Sequence, residues 1–272
     1  MNNTQLVDED FVQETLAITE QARKANVPLR AMGACAIRIH CPNHLELHKV
    51  NMQRKITDLD FVTLRKYQTD VRDVVKQFGY APDLAMIGMS RDVYRNAQKG
   101  IIMDVFFDRL EMCHTMKLEN RLENDFPTIS LADLILEKLQ VVKINEKDIK
   151  DVIVLLLEHG VGESDENTID MKYVAKLLAS DWGFYHTVTM NLNKIRNMAN
   201  NQYGSILLPE EIKTINSKVD DMLSRINQEP KSMKWRMRER LGPKKIWYRE
   251  VEEVAMGSVT EYLMKKYEKE RA

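Results

Sequence analysis

Apolar residues recur at helical spacing near the start of the chain. Phe11, Leu16, Ile18, Ala22 and Val27 predict an amphipathic helix over about 9–26, stopped by Pro28. The run Leu29-Arg30-Ala31-Met32 then meets Gly33 and a series of small residues, the pattern of a short strand turning sharply into a helix. Between Ile56 and Leu64 the apolar and acidic positions alternate as Asp58-Leu59-Asp60-Phe61-Val62. Alternation of that kind predicts a half-buried strand with both aspartates on one face. A helix over 64–78, a turn at 79–83 and two further strands, 84–87 and 101–107, are expected next, the strands joined by a polar connection containing Gly, Asn and Arg.

After Pro127 the period is helical almost throughout, with helices expected over 133–143, 147–159, 171–179, 187–200 and 209–227 and no strand. Pro209-Glu210-Glu211 makes a good first turn, because proline suits that position and carboxylates complement the helix dipole. The expected fold class is α+β: a small mixed-sheet α/β domain over 1–127, followed by an all-helical domain over 128–272.

Composition narrows the setting more than the chemistry. At 272 residues, 44% hydrophobic and 30% charged, the chain reads as globular rather than disordered. A formal net charge of −1 removes any global bias toward nucleic acid or membrane, so such a bias must be local. Three cysteines, Cys35, Cys41 and Cys113, cannot all pair, which points to a reducing compartment. The first ten residues lack the basic and apolar regions of a secretory signal, and no apolar run approaches the roughly 18–20 residues of a membrane span. A cytoplasmic protein without a membrane partner is expected.

The chemistry is expected at three aspartates. Asp58 and Asp60 project the same way from one strand, and two close carboxylates repel unless a cation lies between them. Hard divalent cations such as Mg²⁺ or Mn²⁺ take oxygen ligands and keep positions open for substrate phosphates. Asp104, a lone charge within Ile101-Ile102-Met103-Asp104-Val105-Phe106-Phe107, is the third candidate, since a carboxylate there needs a cation, an Arg or a Lys to face.

Gly33-Ala34, then Asp58-Leu59-Asp60, then Asp104, stand in the order of the pattern that marks the DNA polymerase β-like nucleotidyltransferases, and the chain resembles that superfamily over about 29–159. Asp133-Leu134-Ile135-Leu136-Glu137-Lys138-Leu139-Gln140, followed by Lys147-Asp148-Ile149-Lys150-Asp151, is similar to its AbiEii toxin-like branch. The resemblance implies in-line attack on the α-phosphate of a nucleoside triphosphate. Asp58, Asp60 and Asp104 would hold the metal, Asp104 would orient or deprotonate the attacking hydroxyl, and Lys138 would neutralise phosphate charge. It further implies that the backbone at Gly33 and Ala34 cradles the triphosphate, with Arg54 in a similar role, and that Lys147, Asp148 and Asp151 form a supporting network. Two departures stand out: Ala34 supplies backbone alone where the pattern has Ser or Gly, and an insertion over 41–53 lengthens the gap from Gly33 to Asp58.

Two other clusters were weighed. His40, Cys41, His44 and His48 admit a zinc reading, but with no second ligand pair nearby they read as histidines of a loop insertion. Lys231, Lys234, Arg236, Arg238, Arg240, Lys244, Lys245 and Arg249, interleaved with Trp235, Trp247 and Tyr248, form a basic aromatic stretch over 231–249 that suits an RNA or DNA backbone, or else a helical face docked on the rest of the chain. The expected function is therefore a metal-dependent nucleotidyltransferase acting on RNA, protein or a small molecule. The alternative is a non-catalytic protein of the same fold that binds nucleic acid or a partner through 231–249.

Overall fold

The computed structural model describes residues 6–84 and 91–250. The first helix, α1 (Asp8–Lys24), buries Phe11, Ile18 and Ala22 on one face. The short strand β1 (Arg30–Met32) passes directly into α2 (Gly33–His40), as the small residues after Met32 predict. The 41–53 insertion is not a loop: it winds into a 3₁₀ turn at Pro42–His44 and a π-helical turn at Leu47–Asn51. Strand β2 (Leu59–Thr63) follows, then a 3₁₀ turn at Arg65–Tyr67 and α3 (Gln68–Lys76).

Strands β3 (Ala81–Pro82), β4 (Arg91–Asn96) and β5 (Ile101–Phe107) complete a five-stranded sheet in the order β1-β2-β5-β4-β3, parallel only between β2 and β5. The strand expected at 84–87 lies largely outside the described residues. Strand β4 instead occupies what the polarity marks as a connection. Its buried polar residues are partnered: Asp92 accepts from the Gln68 amide and Tyr94 hydroxyl, and Asn96 donates to the Phe78 carbonyl. A strand that hides polar side chains does not look like one in sequence.

The hairpin β6 (Arg109–Glu111) and β7 (Thr115–Lys117) leads to α4 (Leu131–Leu139) and α5 (Glu146–Glu158). Ser130 caps α4, its hydroxyl accepting from the Asp133 amide. Against the expectation of no strand in this half, β8 (Gly160–Gly162) and β9 (Thr168–Asp170) form a small parallel ladder. Each is three residues long and β8 carries two glycines, too little for an alternation to register. Helices α6 (Met171–Ser180), α7 (Trp182–Asn200), α8 (Pro209–Gln228) and α9 (Met233–Leu241) finish the described chain. The fold is α+β, a mixed sheet followed by a mainly helical region.

The two faces of the sheet feed two cores. Leu59, Phe61, Met103 and Val105 pack with α1 and α3 residues such as Ile18 and Val75. Met32 and Val62 point the other way and join Leu134, Ile153, Leu178, Leu192 and Val219 from the later helices. Residues before and after Pro127 therefore share one apolar cluster. Asp60 and Asp104 alternate with the residues of the first core, so they open on the side where α4 and α5 approach.

Candidate active site

The sheet register lines up the site. Across three neighbouring strands, Met32, Asp60 and Asp104 are direct partners in one row. Asp58 lies two residues before Asp60, at the entry to β2. The residue after Met32 is Gly33, which takes φ +65°, and a β-carbon there would overlap Asp60 Oδ2. Glycine is thus required twice over, by the left-handed backbone and by the closeness of the carboxylate.

Helix α4 brings the next groups. Glu137, absent from the residues singled out in sequence, places Oε2 3.1 Å from the Gly33 amide, which donates to it. Its Oε1 is 3.1 Å from Lys138 Nζ. Lys138 Nζ is also 3.3 Å from Asp151 Oδ2 and 3.6 Å from Asp148 Oδ1. Burial alone would pull Lys138 down, but Glu137, Asp151 and Asp148 outweigh it and hold the ammonium above the ordinary lysine value. Every residue of α4 is buried in the fold, so its charges have to be partnered, but that burial does not show in the sequence.

Arg54, expected to help hold the phosphates, has its guanidinium engaged by Asp151, the carboxylate that Lys138 also contacts. Its Nε and Nη2 grip Asp151 at 2.9 and 3.1 Å in a bidentate pair, and His48 Nε2 adds a contact to the same carboxylate at 2.9 Å. Asp151 is fully buried. Burial would raise its pKa, but Lys138, His48 and Arg54 together hold it far below the usual range. His44 pairs with Glu158 on α5 at 2.6 Å. The histidines of the insertion therefore clamp it onto α5. Lys147 is exposed and joins none of these contacts.

The aspartates have the opposite electrostatics. Burial pushes Asp60 well above the ordinary carboxylate value; the charges of Asp58, Asp104 and Glu137 add to this, and Lys138 opposes it. Burial also raises Asp104, against the pull of Arg91, whose Nη1 is 3.5 Å from Oδ2. Among the described residues no three Asp, Glu, His or Cys side chains stand as a ready-made metal cage. The donor set still fits a hard divalent cation: it is all oxygen, and Arg91 and Lys138 offset only part of its charge.

In the basic stretch the aromatic rings are engaged internally. The indole N–H of Trp235, a buried ring, donates to the Leu178 carbonyl, and that of Trp247 donates to Thr187 Oγ1. Arg238 stacks over Trp182 at 4.4 Å and donates to the Gly242 and Lys245 carbonyls. Arg249 bonds the β6–β7 hairpin through Met112 and Thr115. A cavity of about 450 Å³ lies between that hairpin and this stretch, and none of the three aspartates lines it. All three cysteines are free and buried, and no helix among the described residues is long and apolar enough to cross a membrane.

No protein-family model matches the chain, and no curated protein does. Among solved structures it is similar to the antibiotic-resistance factor ANT(2'')-Ia in solution, at 13% identity and TM-score 0.39 over 63% of this chain and 95% of that one. ANT(2'')-Ia in complex with adenylyl-2''-tobramycin matches at 15% identity and TM-score 0.35, over 54% and 87%. An antigenic nucleotidyltransferase-like protein from Paracoccidioides brasiliensis matches at 14% identity and TM-score 0.37, over 67% and 94%.

Proposed function

We propose that the chain is a metal-dependent nucleotidyltransferase that moves a nucleotidyl group from a nucleoside triphosphate to an acceptor hydroxyl. The observation that carries this reading is the row Met32–Asp60–Asp104 with the Gly33 turn against Asp60. It brings a carboxylate cluster that Arg91 and Lys138 only partly balance beside the backbone N–H groups of a helix start, which suit an anion. Lys138, held charged next to the same turn, and its partners Asp148 and Asp151 support the finer likeness to the AbiEii-like branch.

In this reading Asp58, Asp60 and Asp104 hold Mg²⁺ or Mn²⁺, which neutralises phosphate charge when bound. The start of α2, at Gly33 and Ala34, and Lys138 receive phosphate oxygens. Asp104 orients the acceptor hydroxyl and takes its proton. The acceptor oxygen bonds to the α-phosphorus as the bond to the β-phosphate oxygen breaks, and pyrophosphate leaves. Arg54 supports Asp151 rather than the phosphates.

The test is incubation with each α-labelled nucleoside triphosphate, Mg²⁺ or Mn²⁺, and cellular RNA, protein or an aminoglycoside. Label is expected on one acceptor class, and no transfer to any of them sinks the reading. An RNA acceptor would be met through phosphate contacts rather than stacked bases, because Trp235 and Trp247 are committed to the fold. Reversing Lys234, Arg240 and Lys245 to glutamate would then weaken RNA binding and flatten its salt dependence.

A further inference from the structure

Two groups of the nucleotide site converge on one side chain that belongs to the protein itself. The Gly33 amide donates to Glu137 Oε2 at 3.1 Å, and Lys138 Nζ lies 3.1 Å from Glu137 Oε1. A single carboxylate thus spans the backbone donor at the α2 start and the buried ammonium. Those are the groups that suit a phosphate: an N–H at a helix start and a fixed cation. Glu137 is also buried beside Asp60, which already repels Asp58 and Asp104. A fourth negative group there adds repulsion at Asp60, and Lys138, its counter-charge, is already shared with Asp148 and Asp151.

We infer that Glu137 is the resident anion of the triphosphate site, and that nucleotide binds by displacing its carboxylate from Gly33 and Lys138. The inference rests on the nucleotidyltransferase reading. It assigns Glu137 the role of competitor: in the nucleotide-free protein it occupies the Gly33 amide and Lys138, and it sets the affinity threshold a triphosphate has to overcome. Where a β-carbon would stand, Gly33 has only an α-hydrogen, and that side is closed by Asp60, so the turn cannot retreat from the incoming phosphates and the side chain that gives way is Glu137. Its movement is a rotation of side-chain torsions on α4, with no bond made or broken.

The experiment is calorimetric titration of ATP, GTP, CTP and UTP, each with Mg²⁺, into the full chain and its Glu137→Gln and Glu137→Ala variants. Both variants are expected to bind the preferred nucleotide severalfold more tightly, because the competing charge is gone. Unchanged or weaker binding in folded variants overturns the inference while leaving the enzyme reading intact. No binding to any of the three proteins overturns both. The Gly33 amide resonance of the unmodified protein decides the matter if the variants fail to fold. It should shift on saturation with nucleotide as the acceptor changes from carboxylate to phosphate, and an unmoved resonance overturns the displacement.

Discussion

Two acid-rich regions meet at Lys138 and are treated in opposite ways. Asp151 on α5 is fully buried, yet the Lys138 and Arg54 cations close around it, His48 adds a hydrogen bond, and its pKa is depressed. Asp60 is also pressed into the protein, but its nearest charges are mostly other carboxylates and its pKa is raised. Burial imposes a similar desolvation penalty on both, so the difference lies in what the protein supplies as counter-charge. Around Asp151 that supply is complete; around Asp60 it is left open. The first region ties elements of the fold together, and the second is the one the proposed function assigns to a cation from outside.

The contrast can be broken most decisively at Asp60. Replacing it with Asn should cut transfer by at least three orders of magnitude, about 4 kcal/mol of barrier, while unfolding free energy stays level or rises as repulsion is relieved. Activity assays and urea denaturation of one preparation check both halves, and a large loss of stability would mean that the cluster is structural. Asp151→Asn should do the reverse to the fold, costing about 3–5 kcal/mol by stranding Arg54 and Lys138 without their shared acceptor. A loss below 1 kcal/mol would show that the network is not the structural tie inferred here.

Asp148 sharpens the comparison, because it borders both regions. Burial pushes its pKa up to about 6, against the pull of Lys138. A raised carboxyl favours its neutral form in the fold, so its contribution is fully present below the ordinary value of 3.8 and is lost as pH climbs through about 6. The Asp148→Asn variant stays neutral. Its stability relative to the unmodified protein should grow across that window by up to about 3 kcal/mol, and a pH-independent difference would contradict the assignment. The smallest effect belongs to Arg91→Ala. The Arg91–Asp104 contact is long and partly exposed, so removing it should change stability by no more than about 1 kcal/mol. A larger loss would mean that the acid cluster is better compensated than described.

What could be read from sequence divides along the same line. The Asp58-Leu59-Asp60 alternation and the lone Asp104 are local patterns, and the sheet places Asp60 opposite Asp104 by its register. The Gly33 turn was readable because glycine before small residues marks a sharp strand-to-helix passage. The Arg54 contact was not, because its partner Asp151 lies 97 residues away and nothing local points to it. Glu137 stayed hidden for a related reason: α4 looks amphipathic until burial of its whole surface is known. Strand β4 and the β8–β9 ladder escaped because buried polar residues and three-residue strands carry no usable period.

One bond far from the aspartates bears on how the chain acquires its shape. Arg249 donates from its side chain to the carbonyl of Met112, 137 residues earlier, and from its backbone to Cys113. During synthesis at about 5–20 residues per second, that interval takes roughly 7–27 s. Throughout it the β6–β7 hairpin, which continues the strand bearing Asp104, exists without its last partner. The emerging polypeptide can therefore assemble its sheet long before this seam closes, and slow decoding between codons 113 and 249 would lengthen the period in which the hairpin stands open to chaperones or to other nascent chains.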